Sequence, residues 1–530
     1  MDPRDPAGPQ LFLRLDLEPE HLNRVLRRSV LRRLRTSARE RSLRATTWWD
    51  TPDHDLARSG VVLRVEEPRG NAEGAFEKAR GLLSGKLHPE EDRPETGPGE
   101  GVRVVFAPVG RAEMECISWE VGRLPRPGKG GKVRSEWRVQ VRLERGSLSA
   151  AERGREVTRV TLRLLEGAPP DLWALALALG EEVPVRLAGA GEARQVYALA
   201  GSSVLPPDAS AGRGWVEAVD EVSAGADMDE LLRTMLRGEL RILGGIVAAV
   251  GEPGGVAPKP VHQARLSARR IRALLRLARP LLAPEWSEAV KAEVRGLLDG
   301  LAPARDLHVL RSEVVEPVRA AIRQGGRPGE DVSPGPEDPD LEALARRLDA
   351  DLEEAEIVAD ATLGSPGVTR LLLLLAARSS AAVSATPQGS AFASEVLRRL
   401  ETRLRKRIRK RHRQAARSGG RPGSPGDLLR DWREEERHDL RLQVKRLHDA
   451  WRILAPVVPK KRVKRNVRVL SRLRSLLGTL NDLAVAEGAL KARHPGGTLL
   501  VRGYHLARKE ELLTAAGKAL DAWIRLERSA

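Results

Sequence analysis

Cysteine is almost absent. The 530-residue chain has one, Cys116, which excludes an internal disulfide and a thiolate metal cluster and suits a reducing compartment. Aromatic residues make up only 3% of the chain. Its cores must therefore be built from Leu, Val, Ala and Ile, and it has few platforms for stacking the bases of a single-stranded nucleic acid. Long hydrophobic runs are missing too. The longest, Leu371 to Ala377, is too short to span a bilayer, and the opening MDPRDPAGPQ has no apolar signal segment. These absences predict a soluble cytoplasmic protein with no membrane partner. What the chain has in excess is positive charge: Lys plus Arg number 91 against 73 Asp plus Glu, a formal net charge of +18. A balance of that sign favours a polyanionic partner. The length calls for more than one hydrophobic core.

The first 200 residues read as α+β. LFLRLDL (11–17) alternates like a half-buried strand, and Pro19 opens a helix over 19–34. WWDTPDHDLARSGVVLRVEE supplies turn chemistry at Asp50, Pro52 and Asp53, a short helix from Asp55 to Arg58, and a strand from Val61 to Val65. Residues 70–101 are polar and rich in Gly, Pro and Glu, as in a flexible insertion. Short strand-like segments follow at 102–109, 113–121, 136–143 and 158–165. A helix is expected over 170–179, and 183–187 and 195–199 read as closing strands. Residues 201–225 have the composition of a linker. Beyond it the pattern is helical, at 227–250, 260–279, 285–298, 304–324, 339–360, 367–380, 389–411, 428–455, 461–480, 482–493 and 499–526. The Pro/Gly stretch 325–338 divides this part into two halves.

One helical stretch organises the rest. From His262 to Arg279 the chain reads HQARLSARRIRALLRLAR. Arg265, Arg269, Arg272, Arg276 and Arg279 fall on one helical face, with no acidic residue in the stretch. The pattern returns 176 positions later in HDLRLQVKRLHDAWRI. There His438, Arg441, Lys445 and Arg446 correspond to His262, Arg265, Arg269 and Arg270. LAPARDL (301–307) and LGTLNDL (477–483) share the same offset, so Asp306 corresponds to Asp482. Two motifs with one offset imply a duplicated helical bundle. The two aspartates either cap helices or hold arginines. Further basic faces lie in 398–413 (Arg403, Lys406, Lys410) and 460–474 (Arg465, Arg468, Arg472). Each run alone is an ordinary solvated surface, but four in one module point to a bound polyanion.

These motifs resemble the conserved histidine α-helical, or CHAD, domain over about residues 226–515. The resemblance implies two pseudo-symmetric helical bundles around a basic groove that binds inorganic polyphosphate, and an association with polyphosphate granules. It implies ligand roles for His262, Arg265, Arg269, Arg272, His438, Arg441, Lys445 and Arg446, and Arg270 and Arg276 of the same helix are counted with them as polyphosphate-binding. Where that family usually has a basic residue followed by Tyr, this chain has His448 and Asp449. Residues 8–200, through TTWWDTPDHDLARSGVVLRV, TLRLLEGAPPDLWALALAL and EARQVYAL, resemble the CYTH, or triphosphate-tunnel, domain. That resemblance implies a closed antiparallel tunnel of eight strands with carboxylate-held Mg or Mn. Residues 516–530 form the C-terminal helix end and tail.

The tunnel's own chemistry is degraded. Where the family has E-x-E-x-K, this chain has Gln10, Phe12 and Arg14. In a late strand that alternates Glu in the family, it has Arg159, Thr161 and Arg163, and the family's closing lysine is Glu192. Neutral or basic residues cannot replace the carboxylates that hold a divalent metal against phosphates. Arg14 and Arg64 remain as phosphate contacts. The leading expectation is a non-catalytic polyphosphate-binding protein with no cofactor and no specific nucleic acid. One alternative is a metal-dependent triphosphatase using displaced carboxylates at Glu113, Glu115 or Glu120. The other is a nucleic-acid binder.

Overall fold

The computed structural model describes residues 11–67, 106–123, 136–189, 191–204, 222–223, 225–250, 258–323, 339–381, 386–417, 427–493 and 499–528. The expected insertion at 70–101, the divider at 325–338, most of the 201–225 linker, and Gln10 lie outside the described residues. The chain forms two compact units. One comprises Met1–Ala218, Leu240–Gly255 and Asp360–Ala381, and the other Val219–Glu239, Val256–Ala359 and Ala382–Ala530.

The first unit is built on an antiparallel sheet of seven strands. These are β1 (Phe12–Asp16), β2 (Glu40–Asp50), β3 (Leu63–Glu67), β4 (Ala107–Arg123), β5 (Trp137–Ala150), β6 (Arg153–Glu166) and β7 (Arg186–Leu187), in the order β3-β2-β4-β5-β6-β1-β7. Three of the short expected segments are in fact long strands. β4 and β5 stay paired through Gly146, where a Cβ would lie 1.8 Å from the Glu113 carbonyl oxygen. The sheet is open, which corrects the expectation of a closed triphosphate tunnel. β7 has only two residues, and it pairs with β1 and not with β3. The other expected closing strand, 195–199, is part of a helix, Glu192–Leu199.

That helix packs on the sheet instead of extending it. Its Val196 and Tyr197 join Trp48, Met114, Cys116, Leu148 and Val157 in one core. Asp50, fully buried, ties the helix to the WWDTPD turn. It accepts hydrogen bonds from the backbone N–H groups of Leu56 (2.9 Å) and Ala57 (3.1 Å) and from the Tyr197 hydroxyl (2.7 Å). The apolar run from Leu371 is the core of helix Pro366–Ser380, capped at its start by Ser365 and packed on helix Pro169–Glu182. Among the described residues no single helix is long and apolar enough to cross a membrane.

Arginines on the covered face of the sheet are neutralised from within. Glu192 is held by both terminal nitrogens of Arg44, at 3.0 and 2.9 Å, and lies 3.5 Å from Arg159. Arg159 in turn meets Asp16 at 2.6 Å. Burial pushes the Glu192 carboxyl upward, but the hydrogen bonds and charge of Arg44 and the charge of Arg159 outweigh it and hold the group below its ordinary 4.5.

The second unit is helical. Its larger core gathers Leu440, Val444, Leu447, Trp451, Leu470, Leu473, Leu520 and Trp523. The helices expected at 461–480 and 482–493 are one continuous helix, Lys460–Arg493. The helix expected over 304–324 is broken into Ala302–Val309, a π-helical turn Leu310–Val315, and Glu316–Arg323.

Replacing Glu192 by Gln strips one partner from a buried ion pair and should lower the unfolding free energy of the first unit by about 3 kcal/mol. Because the folded-state pKa is depressed, the wild-type advantage is present above pH 4.5 and fades as pH falls through the folded value. Denaturant titrations of both proteins at neutral and acid pH check this. An unchanged midpoint at neutral pH would show that the pairing contributes nothing.

Candidate polyanion-binding site

The two arginine-rich stretches form helices Pro258–Leu277 and Glu434–Ile453, which pack against each other. Small and aliphatic residues make the packing possible. On the first helix Val261, Ala264, Ala268, Ile271 and Leu274 are buried, and on the second Leu440, Val444, Leu447, Ala450 and Trp451. The residues between them in the helical repeat are left on the surface. His262, Arg269, Arg272, Arg276, His438 and Arg446 are exposed, and Arg441 and Lys445 are half-buried.

Arg265 departs from this pattern. It is buried, and its Nη1–H donates to the Leu298 carbonyl at 2.8 Å. It anchors the first helix to helix Pro284–Gly300. Arg270 lies beside Arg269 in sequence but pairs with Glu239 at 3.4 Å.

The duplication extends to the interactions. Arg441 lies 3.9 Å from Asp482, and the charge of the corresponding Asp306 acts on Arg265. The aspartates therefore lean on arginines in both copies. His438 donates its Nδ1–H to Asn481 Oδ1 at 2.7 Å. In the other copy the position of Asn481 is held by Arg305, whose charge is the strongest one acting on His262. Arg305 and Asn481 were not picked out from the sequence. The 176-residue offset that links the two histidines also links these two, and would have found them.

The charges at the helix pair are only partly compensated. Burial lowers the pKa of Arg269, followed by the charges of Arg441 and Arg305. Burial lowers that of Arg276, followed by Arg446 and Arg272. Burial pushes Lys445 from 10.5 down to about 8, with Arg269, Arg441 and Arg272 adding to the effect and Asp449 opposing it. His262 is lowered by burial and then by Arg305, Arg269 and Arg265. The neighbouring arginines push each of these groups the way crowded like charges do, and Asp449, Asp482 and Glu313 only partly offset them.

The copies are not electrostatically equal. A cavity of about 380 Å³ beside His438, Arg441 and Asn481 is also lined by Glu434 and Glu435. The first copy has Pro258 and Lys259 at those two positions. Asp449 likewise stands where the first copy has Ala273. His448 is buried and shares a hydrogen bond with Ser471 Oγ at 2.9 Å, so it serves packing.

The remaining basic candidates are scattered. Helix Gly389–Arg417 is tied to the second arginine helix by Arg407 with Asp439, and by Arg411 with Glu436 at 2.6 Å. Its Arg403, Lys406 and Lys410 are exposed. Arg465, Arg468 and Arg472 are exposed on helix Lys460–Arg493, where Arg462 lies over the Trp451 ring at 5.6 Å.

In the sheet unit Arg14 and Arg64 are far apart in strand order, on β1 and the edge strand β3. Arg64 pairs with Glu66 at 3.5 Å. Glu113 and Glu115 are exposed on β4, between the core residues Ala112, Met114 and Cys116, and Glu120 pairs with Arg138 at 3.4 Å. Among the described residues no group of three or more His, Cys, Asp or Glu could hold a metal ion.

A depressed lysine gives this site a stability signature. Between about pH 8 and 10.5 the unfolded chain holds more protons at Lys445 than the folded one, so the unfolding free energy rises with pH across that window. Lys445→Met removes the effect. Melting temperatures measured from neutral to alkaline pH should show the wild type gaining on the variant, and parallel curves would refute the shift.

Residues 242–491 match the CHAD domain family, so the C-terminal region contains a CHAD domain. The chain is also similar to a structure described as the crystal structure of the CHAD domain from the plant Ricinus communis. The identity is 22%, the match covers 57% of this chain and 95% of that one, and the TM-score is 0.43. No match to the CYTH family was found for the N-terminal region. Comparison with curated proteins gave no match.

Proposed function

We propose that the C-terminal helical region binds inorganic polyphosphate, without catalysis, along the paired arginine helices. One observation carries this reading. Arg269, Arg272, Arg276, Arg441 and Lys445 lie on two packed helices, where burial first and then the charges of neighbouring arginines lower the pKa of Arg269, Arg276 and Lys445. A chain of phosphates would relieve that repulsion while releasing its own counterions. Guanidinium groups suit phosphate oxygens because they donate in a planar fork. The CHAD family's association with polyphosphate supports the choice of polyanion, and the 3% aromatic content supports phosphate over stacked bases.

Asp306 and Asp482 have a supporting part, orienting Arg265 and Arg441. Arg265 contributes by fixing the helix. Arg403, Lys406, Lys410, Arg465, Arg468 and Arg472 are an outer basic surface that a long chain reaches after the paired helices are filled. A setting at polyphosphate granules follows from the same reading.

Binding of long-chain polyphosphate should be tight at low salt and fall steeply as salt rises. Replacing Arg269, Arg272, Arg441 and Lys445 together by Gln should weaken it at least about a hundredfold and make the log-log salt slope roughly three units shallower. Replacing Arg403, Lys406 and Lys410 should cost less. Titration calorimetry over a salt series, with duplex DNA at matched charge as competitor, measures both. Full affinity in the four-residue variant, or a preference for DNA, would overturn the reading.

A further inference from the structure

The first unit holds a cavity of about 530 Å³ beside the edge strand β7, a size that takes a small organic ligand. Four arginines line it: Arg153, Arg155, Arg186 and Arg194. The sequence brings them there by three routes. Arg153 and Arg155 stand two apart at the start of β6, so both fall on the face that carries Val157 and Arg159, the face covered by helix Glu192–Leu199. Arg194 lies on that helix, in a stripe with Gln195, Ala198 and Leu199 next to the buried Val196 and Tyr197. Arg186 is on β7, opposite Asp16 of β1.

Leu199, Val247, Val250 and Pro366 add an apolar lining. The walls are braced. The Leu187 N–H donates to the buried Thr369 Oγ1 at 2.7 Å, which ties β7 to the first turn of helix Pro366–Ser380. A Cβ at Gly364 would lie 3.3 Å from a Val250 methyl. The positive charge is only partly met within the protein. Arg186 reaches Glu18 at 3.0 Å, but neither Arg153 nor Arg155 forms an ion pair with a described residue. Asp16 and Asp360 also line the cavity, and Asp16 is held by Arg159 at 2.6 Å.

We infer that this cavity binds a small organic phosphomonoester, with its phosphate on Arg153 and Arg155 and its apolar body against Leu199, Val247 and Val250. Guanidinium forks match phosphate oxygens. One phosphate dianion balances these two arginines, whereas a longer run of phosphates would meet Asp16 and Asp360. An inorganic anion would leave the apolar lining unused. The site shares no residue with the paired arginine helices and does not depend on the function proposed for them.

Phenyl phosphate is the probe, titrated calorimetrically into the full-length chain. It should bind saturably, at least about tenfold tighter than inorganic phosphate, because its ring reaches the apolar lining. The double variant Arg153→Gln, Arg155→Gln should weaken it by about tenfold or more, with no change in melting temperature because both positions are exposed. Tripolyphosphate should displace it no better than inorganic phosphate. Arginine modification by phenylglyoxal, followed by peptide mass spectrometry, gives the location. Bound phenyl phosphate should slow modification of Arg153 and Arg155 and leave Arg272 and Arg446 on the paired helices unchanged. No saturable binding, or full affinity in the double variant, overturns the site. So does protection of Arg272 and Arg446 in place of Arg153 and Arg155. Equal affinity for phenyl phosphate and inorganic phosphate overturns the organic ligand, and stronger displacement by tripolyphosphate overturns the limit to one phosphate.

Discussion

Like-charge repulsion between two packed helices is the constraint on which the second unit turns. Arg269 and Arg272 face Arg441 and Lys445 with only Asp449, Asp482 and more distant acids to offset them. Such a surface costs stability wherever no anion is bound, so other contacts must supply what it takes away. The underside of the pair does this. Ala264, Ala268, Ile271 and Leu274 on one helix, and Leu440, Val444, Leu447 and Trp451 on the other, are each at most 3% exposed. Each fully buried aliphatic side chain contributes roughly 1.5–3 kcal/mol. Even Arg265, at the start of the basic face, is turned into an anchor by a backbone carbonyl.

The sheet unit uses the same residue type to the opposite end. Arg44 and Arg159 are as basic as Arg269, yet each has carboxylates in contact: Glu192 and Glu144 for the first, Asp16 and Glu192 for the second. Their pKa values are raised despite burial, the reverse of Arg269 and Arg276. Counting arginines cannot separate the two situations. The sign of the shift can, because it reports whether charge is already balanced within the protein. Arg14 and Arg39 are exceptions in the sheet unit, each with its pKa lowered by burial and then by neighbouring arginines.

The duplicated helices were legible because their signal was a spacing. A 3.6-residue period shows which residues share a face, and a common offset of 176 shows which residues are equivalent. The open sheet was not legible for a related reason. EARQVYAL is too short for periodicity to separate helix from strand, and the family resemblance favoured a strand. Tertiary contact decided it. As a helix, the segment buries Val196 and Tyr197 on Trp48 and Met114 and delivers Glu192 to Arg44 and Arg159. The long strands were read as short because Gly146 and Ser147 break the alternation of β5, although Gly146 is what allows β4 to come close. The burial of Arg265 and His448 was also hidden, since a helical wheel shows which residues share a face and not which neighbour covers it.

A duplicated site need not be a symmetric one. The pairing of an aspartate with an arginine recurs, Asp306 acting on Arg265 and Asp482 on Arg441, whereas the hydrogen bond of His438 to Asn481 is replaced in the first copy by Arg305 beside His262. The charges differ too. Glu434, Glu435 and Asp449 stand in the second copy where the first has Pro258, Lys259 and Ala273, and a lysine faces an arginine at the centre. A uniformly charged polymer gains nothing from such differences, because its phosphates repeat identically along the chain. The asymmetry leaves the first copy with fewer acidic residues at these positions than the second. On Arg269 the charge is permanent, whereas on Lys445 it depends on pH.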